Sequence, residues 1–556
     1  MTSPLINNPA STAMSAPGML LDGKRALVID DMGAAVVIGR NMLLGLGAKH
    51  VETAGDYQTA FPKIAKKHYD IILCDFNLGS GLNGQQILRD LRHINRLSYT
   101  TLFVVVSAER THDIVLGTIE CEPDGYIAKP FTQGDFRVRI TKLVEQQTVF
   151  KEFNEALDRK EYDVAFGISE KIMASQPKYR MLAIRKTAGV LYELKRFEEA
   201  LALFNKAIEV REQTWAQIGR ARCIAELGDI KTAIQEFEDV IITNPLAVPA
   251  IDSLAVCHLR EGRKREAQEA VVKATSLSPM SIERQRWLGD LSMDVGELDT
   301  SLKAYKSILK LSEGTLKETI KQHETYTKTL RKAVESAQDA KKRGELVEEG
   351  RKHIKNALKK YENHESLKFN DSLFRALEKH NKGDSEESIA IIDAICERHK
   401  DLIKEDPEIT IDIAETRFHA GDRPGAEAML QDLLKKHPEN KKLCERIQAI
   451  IDTPLPYYQR IFITEMNRKG KQEYDAGHYE NALESFRKAL EVYPQHPAIN
   501  LNAVQVMLKM IDAGARSENG YREAKVYLDA SVALEPEHPE YERKEAFKRY
   551  LNKKLK

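Results

Sequence analysis

Residues 70–75 read Asp-Ile-Ile-Leu-Cys-Asp. A short apolar run that closes on a carboxylate predicts a strand buried on both faces, with its last side chain emerging at the carboxyl end. Four more runs of this kind lie around it: Arg25–Asp30, Lys49–Thr53, Thr101–Ser107 and Gly125–Ala128. Amphipathic, helix-like segments separate them, and this alternation predicts a parallel sheet covered on both faces. Residues 21–147 are therefore expected to form an α/β doubly wound, five-stranded parallel sheet of flavodoxin-like type. Sites in such a fold lie at the carboxyl ends of the strands.

Those ends carry reactive residues. Asp30 and Asp31 follow the first strand, Asp75 ends the third, Ser107 ends the fourth, and Lys129-Pro130 follows the fifth. This order and spacing resemble the receiver domains of response regulators, over about 125 residues. The residue types suit the chemistry that the resemblance implies. Aspartyl phosphate formation needs a carboxylate nucleophile. A phosphoryl group entering an acidic site needs a hard, oxygen-liganded cation such as Mg²⁺ to offset repulsion. An ammonium and a hydroxyl can then hold the remaining phosphoryl oxygens.

The resemblance makes Asp75 the phosphoacceptor. Asp31, Asp75 and the main-chain carbonyl of Asn77 would hold Mg²⁺, with Asp30 assisting through water. Ser107 and Lys129 would bind the phosphoryl group. Tyr126 matches an aromatic switch residue, and Ala108 a small residue that leaves phosphate access. Asn77 and Glu109 occupy positions that tune dephosphorylation. The loop after Asp75 departs from the pattern: Gly79 stands where such domains usually have Pro, and the next family glycine is displaced by one residue to Gly84.

After residue 148 strand signals give way to a repeat. Phe197, Ile230, Lys264 and Leu298 fall 33, 34 and 34 residues apart. Ala200, Ala233, Ala267 and Ser301 follow at +3, and Phe204, Phe237, Val271 and Tyr305 at +7. Small residues Ala188, Ala221, Ala255 and Gly289 recur in the preceding helices, and Gly228, Gly262 and Gly296 mark turns. Small side chains let paired helices approach, large ones fill the gap, and glycine ends a helix. A single pair cannot bury its apolar face, so pairs stack. The pattern resembles tetratricopeptide repeats (TPRs) and predicts an all-α superhelical solenoid of about nine units.

The expected organisation is a disordered leader (1–20), the receiver (21–147) and TPRs (148–312). A charged helical insertion (313–366), degenerate repeats (367–452), a linker (453–465) and C-terminal repeats with a capping helix (466–556) follow. The charge density of 313–366 predicts long solvated helices. Arrays of this kind hold peptides or helices in a concave groove. Inward positions by the resemblance are Arg185, Tyr192, Trp215, Arg222, Asp252, Arg260 and Arg286. Arg, Tyr and Trp are favoured interface anchors.

Lys plus Arg and Asp plus Glu are each 84, so no global basic field favours nucleic acid. The six cysteines form no CxxC pair, which suits a reducing cytoplasm. No signal peptide and no apolar stretch of about 18 residues is present to enter a membrane. P-loop, HExxH, GxSxG and kinase motifs are absent, so no output enzyme is expected. The expected function is a phosphorylation-controlled response regulator of a two-component system. Its partners would be a sensor histidine kinase or phosphotransfer protein, and a protein or peptide in the groove. The alternative is a constitutive TPR scaffold or phosphate sink whose receiver only docks to a kinase.

Coupling between the halves has two readings. Phe136, Leu143, Phe150 and Leu157 recur every seven residues, as on one helix running from receiver into array. A break at Gln146-Gln147-Thr148 would instead give a loose tether.

Overall fold

The computed structural model describes residues 20–555 except 80–82, 95, 109–122, 314–317, 363, 456, 518, 533, 535 and 537. The expected leader, apart from Leu20, and Glu109 lie outside the described residues. The chain divides into two compact units, Met1–Leu288 with Ser307–Glu318, and Gly289–Lys306 with Thr319–Lys556.

The first unit opens with strands β1 (Arg25–Ile29), β2 (His50–Ala54), β3 (Ile71–Asp75), β4 (Leu102–Ser107) and β5 (Gly125–Ala128), all parallel, in the order β2-β1-β3-β4-β5. β3 and β4 are buried along their whole length because both faces are covered. On one side Phe103, Val105, Ile72 and Leu27 pack with α2 (Tyr57–Lys66) and α3 (Gly84–His93) through Ala60, Ile64, Ile87, Leu88 and Leu91. On the other, Val28, Leu73, Val104 and Ile127 pack with Leu43 of α1 (Gly33–Gly45) and with Phe136 and Ile140 of the Gln133–Val149 helix. The register sets Asp75 opposite Val106 and Ser107 opposite Ala128, which brings the reactive ends together.

The Gln133–Val149 helix neither runs straight into the array nor breaks at Gln146–Thr148. It ends at Phe150 (φ −93°, ψ 8°), and the Lys151–Asp158 helix starts at the next residue. The Phe150 N–H donates to Gln146 O at 3.1 Å and the Asn154 N–H to Phe150 O at 2.8 Å, so hydrogen bonding crosses the bend. The buried Phe150 ring packs on Phe153 and Tyr179 and fixes that joint.

Helix pairs follow, among them Arg180–Glu193 with Phe197–Val210, Thr214–Glu226 with Ile230–Thr243, and Val248–Arg260 with Lys264–Leu277. Ala188, Ala221 and Ala255 are fully buried sixteen residues before Phe204, Phe237 and Val271, all three of them buried. The turn glycines Gly228 (φ 103°) and Gly262 (φ 73°) take the left-handed conformation that ends a helix. Lys160 and Lys195 do the same at φ 60° without being glycine.

The second unit is also all-helical among its described residues. Its small-to-large packing is tightest at glycine: a Cβ on Gly289 would stand 2.8 Å from Tyr305, and one on Gly470 would stand 2.5 Å from Phe486. Within the charged segment the Ala340–Lys360 helix keeps most of its charged side chains exposed, as expected, but the Ile320–Ser336 helix is not solvated as its charge suggested. The Ile320–Ser336 helix buries Tyr326, Leu330, Val334 and, fully, Arg331. Arg331 meets Asp412 at 2.7 Å, and Lys332 meets Glu415 at 2.9 Å, a carboxylate that Arg460 also holds. Charge density in this segment signals an internal ionic network. A Cβ on Gly350 would stand 2.3 Å from Phe374, so the Ala340–Lys360 and Glu365–Asn381 helices pack in repeat fashion. The segment expected as a linker at 453–465 is largely helix, the Tyr457–Asp475 helix starting four residues in. Among the described residues no helix is long and apolar enough to cross a membrane.

Removing one partner of a buried ion pair leaves the other charge desolvated and uncompensated. Asp412→Ala should destabilise the second unit by about 3–5 kcal/mol. Replacing the pair together, Arg331→Met with Asp412→Leu, should cost much less. Chemical denaturation followed by circular dichroism checks both, and equal losses in the two variants would contradict the network.

Candidate functional site

The site lies where four parallel strands end. Asp30 follows β1 and is buried to 6% exposure; Asp75 ends β3 at 9% and Ser107 ends β4 at 1%. The Lys129 Nζ donates to Asp75 Oδ1 at 2.6 Å and to Asp30 Oδ2 at 3.1 Å, so one ammonium bridges both carboxylates. Its backbone N–H donates to Ser107 O at 2.6 Å, tying the lysine's base to the end of β4. The remaining oxygen of Asp75, Oδ2, accepts the Asn77 N–H at 2.9 Å, and Asp30 Oδ1 accepts the Met32 N–H at 2.9 Å.

Electrostatics follow from burial. Desolvation pushes the Asp75 carboxyl above its ordinary range, although Lys129 and the Asn77 N–H pull the other way. Burial disfavours the Lys129 ammonium, but its hydrogen bonds to Asp75 and Asp30 outweigh that and hold it above its usual value. Two carboxylates in one buried site are thus held by a cation that is firmly protonated.

Gly79 has φ 68°, and a Cβ there would stand 2.8 Å from Asp31 Oδ2, so the exposed Asp31 carboxylate occupies the space that a side chain at 79 would fill. A Cβ on Gly84, at the start of α3, would stand 2.4 Å from the Asp75 carbonyl oxygen. The departure noted at Gly79 and Gly84 is therefore a close approach of loop and helix to the acidic residues. Asn83 caps α3, accepting the Gln86 N–H at 2.9 Å. Tyr126 is half-buried against the α2–α3 side of the core, and Ala108 is exposed beside Ser107.

Among the described residues no three-residue His, Cys, Asp and Glu group is gathered around a metal position. The donors are nonetheless all oxygen and acidic, which suits Mg²⁺, an ion that commonly takes one or two carboxylates and keeps water. A cavity of about 390 Å³ opens from Asp30, Asp75 and Lys129 between α1 and Phe131 and Phe136. Its lining includes the exposed apolar residues Met32 and Ile38.

A second concavity, about 1530 Å³, belongs to the array. Arg185, Tyr192, Trp215, Arg222, Asp252 and Arg260 line it, whereas Arg286 is exposed and does not. The fourth repeat instead presents Arg284 and Trp287. Arg284 is buried and grips Asp252 through two hydrogen bonds, 3.0 and 2.8 Å. Arg185 lies over the Trp215 ring at 5.6 Å. Arg222 donates to Ser253 Oγ at 2.8 Å, so it braces adjacent repeats. Sequence reasoning also missed Arg89, a residue of α3 that lines the same concavity; an unremarkable arginine on a charged helix face carries no sequence signal for this.

Both parts of the chain resemble known proteins. Residues 26–141 match the response regulator receiver domain family, and residues 467–509 match a tetratricopeptide repeat. Chemotaxis protein CheY of Pseudomonas aeruginosa is 30% identical over 122 residues, spanning 22% of this chain and 97% of that protein. Chemotaxis protein CheY-3 of Vibrio cholerae serotype O1 is 27% identical over 122 residues, 22% of this chain and 92% of that protein. A crystal structure of MamA protein is similar over 30% of this chain and 90% of its own, at 17% identity and a TM-score of 0.26. The chain belongs to the response regulator receiver family, with tetratricopeptide repeats fused behind the receiver.

A carboxyl whose pKa is raised by folding loses stability on ionising: the loss begins above the ordinary carboxylate range and is complete above the raised value. In metal-free buffer at neutral pH, Asp75→Asn should therefore protect the β3 and β4 amides more strongly than wild type. The gap should close as pH falls toward about 4. Amide hydrogen exchange checks this, and weaker protection in the variant at neutral pH would contradict it.

Proposed function

We propose that this chain is a phosphorylation-controlled response regulator in a cytoplasmic two-component system, with Asp75 as the phosphoacceptor and the repeat array as a protein-binding output. The observation that carries this reading is the single ammonium of Lys129 bridging Asp75 and Asp30 at the strand ends, with Ser107 on the neighbouring strand.

A carboxylate oxygen of Asp75 attacks phosphorus. The phosphorus–nitrogen bond of a histidine-bound phosphoryl group breaks, and its electron pair leaves on the imidazole nitrogen. Lys129 then pairs with a phosphoryl oxygen in place of part of its contact with Asp75, and the Ser107 hydroxyl holds another. Asp31, Asp75 and the Asn77 carbonyl would hold Mg²⁺, with Asp30 acting through water; bound there, the ion supplies positive charge against the incoming phosphoryl oxygens. Asn77 and Glu109 tune loss of the phosphoryl group, and Tyr126 and Ala108 adjust to Ser107. The phosphodonor is a sensor histidine kinase or phosphotransfer protein. The exposed Met32 and Ile38 at the cavity give such a partner an apolar surface to cover.

The array supplies no reaction in this reading. Its concavity joins an indole, a phenol and several guanidinium groups, the side chains that anchor protein partners.

Incubation with acetyl phosphate and Mg²⁺ should label wild type at an acid-stable, base-labile site. Asp75→Asn should take no label, and Lys129→Ala should take about ten-fold less in the same time, equivalent to about 1.4 kcal/mol of lost transition-state stabilisation. Equal labelling of Asp75→Asn would reject the acceptor. Labelling of wild type with no change in partner capture would favour the scaffold or phosphate-sink alternative.

A further inference from the structure

Two imidazole pairs lie along the Ala340–Lys360 helix of the second unit. In its C-terminal half, His353 meets His323 of the Ile320–Ser336 helix. The two rings stack with centroids 5.2 Å apart, and His323 Nδ1 stands 3.3 Å from His353 Nε2, one nitrogen donating to the other. Tyr326 packs edge-on against His353 at 4.8 Å, and Tyr361 against His323 at 5.5 Å. In the first turn of the helix, Arg343 donates to Asn381 Oδ1 at 3.1 Å, to Ala337 O at 2.9 Å and to Gln338 O at 3.0 Å. The charge held there acts on the second pair, His380 of the Glu365–Asn381 helix and His419 at the end of the Pro407–His419 helix. Their ring centroids are 5.1 Å apart, and His380 Nδ1 stands 3.1 Å from Ser385 Oγ.

Such pairs resist protonation. A hydrogen bond between two imidazoles needs one bare nitrogen, and two imidazolium rings in contact repel in a half-buried setting that screens them weakly. The other groups acting on the rings add to this. Lys306 opposes a charge on His353, and Glu349 favours one. The Glu349 Oε1 already accepts from Lys306 Nζ and from the Tyr326 hydroxyl, each at 2.7 Å. His419 answers to His380 and Arg343, both bases. Burial and then His323 push His353 down to about 4, and burial, His380 and Arg343 push His419 down to about 4. Burial and Arg343 lower His380 as well. A histidine whose folded value lies below its ordinary 6.5 leaves the fold at full stability above 6.5 and costs stability as pH falls from there toward 4.

We propose that the two imidazole pairs form an acid-operated clasp, which holds the Ala340–Lys360 helix between its neighbours at neutral pH and releases it on mild acidification while the first unit stays closed. The helix is suited to separate release. Along its 21 residues it buries Leu346, Val347, Gly350, Ile354 and Ala357, and an element with few buried contacts opens ahead of the whole. Release uncovers Phe374, a fully buried ring that packs on Gly350, and so presents an apolar surface in acid. The clasp operates whether or not Asp75 accepts a phosphoryl group.

Amide hydrogen exchange in the full chain, corrected for the intrinsic pH dependence of exchange, reads the opening of each helix. The reference is the Phe197–Val210 and Thr214–Glu226 helices of the first unit, which carry no histidine. Between about pH 7.5 and about pH 5, the opening constant of residues 340–360 should rise about ten-fold or more relative to that reference. His353→Gln with His419→Gln should abolish the rise, because glutamine keeps a polar side chain that does not titrate. Each single substitution should remove part of it. A rise that persists in full in the double variant assigns the acid response to carboxylates and overturns the clasp. A wild-type ratio that stays constant across this range also overturns it, and that readout requires no variant to fold.

Discussion

The Lys129 ammonium between Asp30 and Asp75 is the interaction on which the receiver's arrangement turns. Carboxylates at the ends of adjacent parallel strands repel, and burial makes that repulsion harder to screen. A single cation placed on the loop after β5 compensates both. Its position follows from the sheet order: β1 and β3 are neighbours and deliver the two acids, β4 lies beside β3, and β5 beside β4 carries the lysine back over them. The strands themselves are plain apolar runs. The constraint runs from site to sequence, which is why the chemistry sits at the last residue of each strand and not within it.

The repeats obey a different constraint, the approach distance of paired helices. Ala188, Ala221 and Ala255 vanish beneath the side chains sixteen residues on, and at Gly289 and Gly470 even a methyl group would collide with an aromatic ring. Large side chains fit only because small ones face them, so each pair is defined by a two-residue code that repeats along the chain. On the concave face arginines act as struts between adjacent repeats, as Arg222 does toward Ser253 and Arg284 toward Asp252.

These two constraints explain what could be read in advance. Parallel strands announce themselves as apolar runs, and residues that end them are found by counting, so Asp75, Ser107 and Lys129 were legible without any fold in hand. The repeat code was legible wherever its glycines and alanines kept period. It failed at Arg331 because a charged residue on a helix is read as solvated, and only three-dimensional pairing with Asp412 reveals it as interior. It slipped at Arg286 because the concave face is set by helix rotation: Arg284 and Trp287 lie a fraction of a turn away and take the inward positions.

Arg89 is the instructive case. Its partners Ser281 and Glu283 lie 192 and 194 residues away, and nothing in either local pattern singles them out. Long-range polar contacts leave no periodic trace, because a periodicity argument sees only the element that carries a residue. Yet the local reading supplied the other half of the argument. It placed Gly84 late in an unusual loop, and that displaced glycine is the residue that lets α3 start directly against the Asp75 backbone. A side chain at that position would have to push the helix away from Asp75, and with it the arginine that reaches the repeats. The displaced glycine and the arginine that contacts the groove thus lie on one helix, five residues apart.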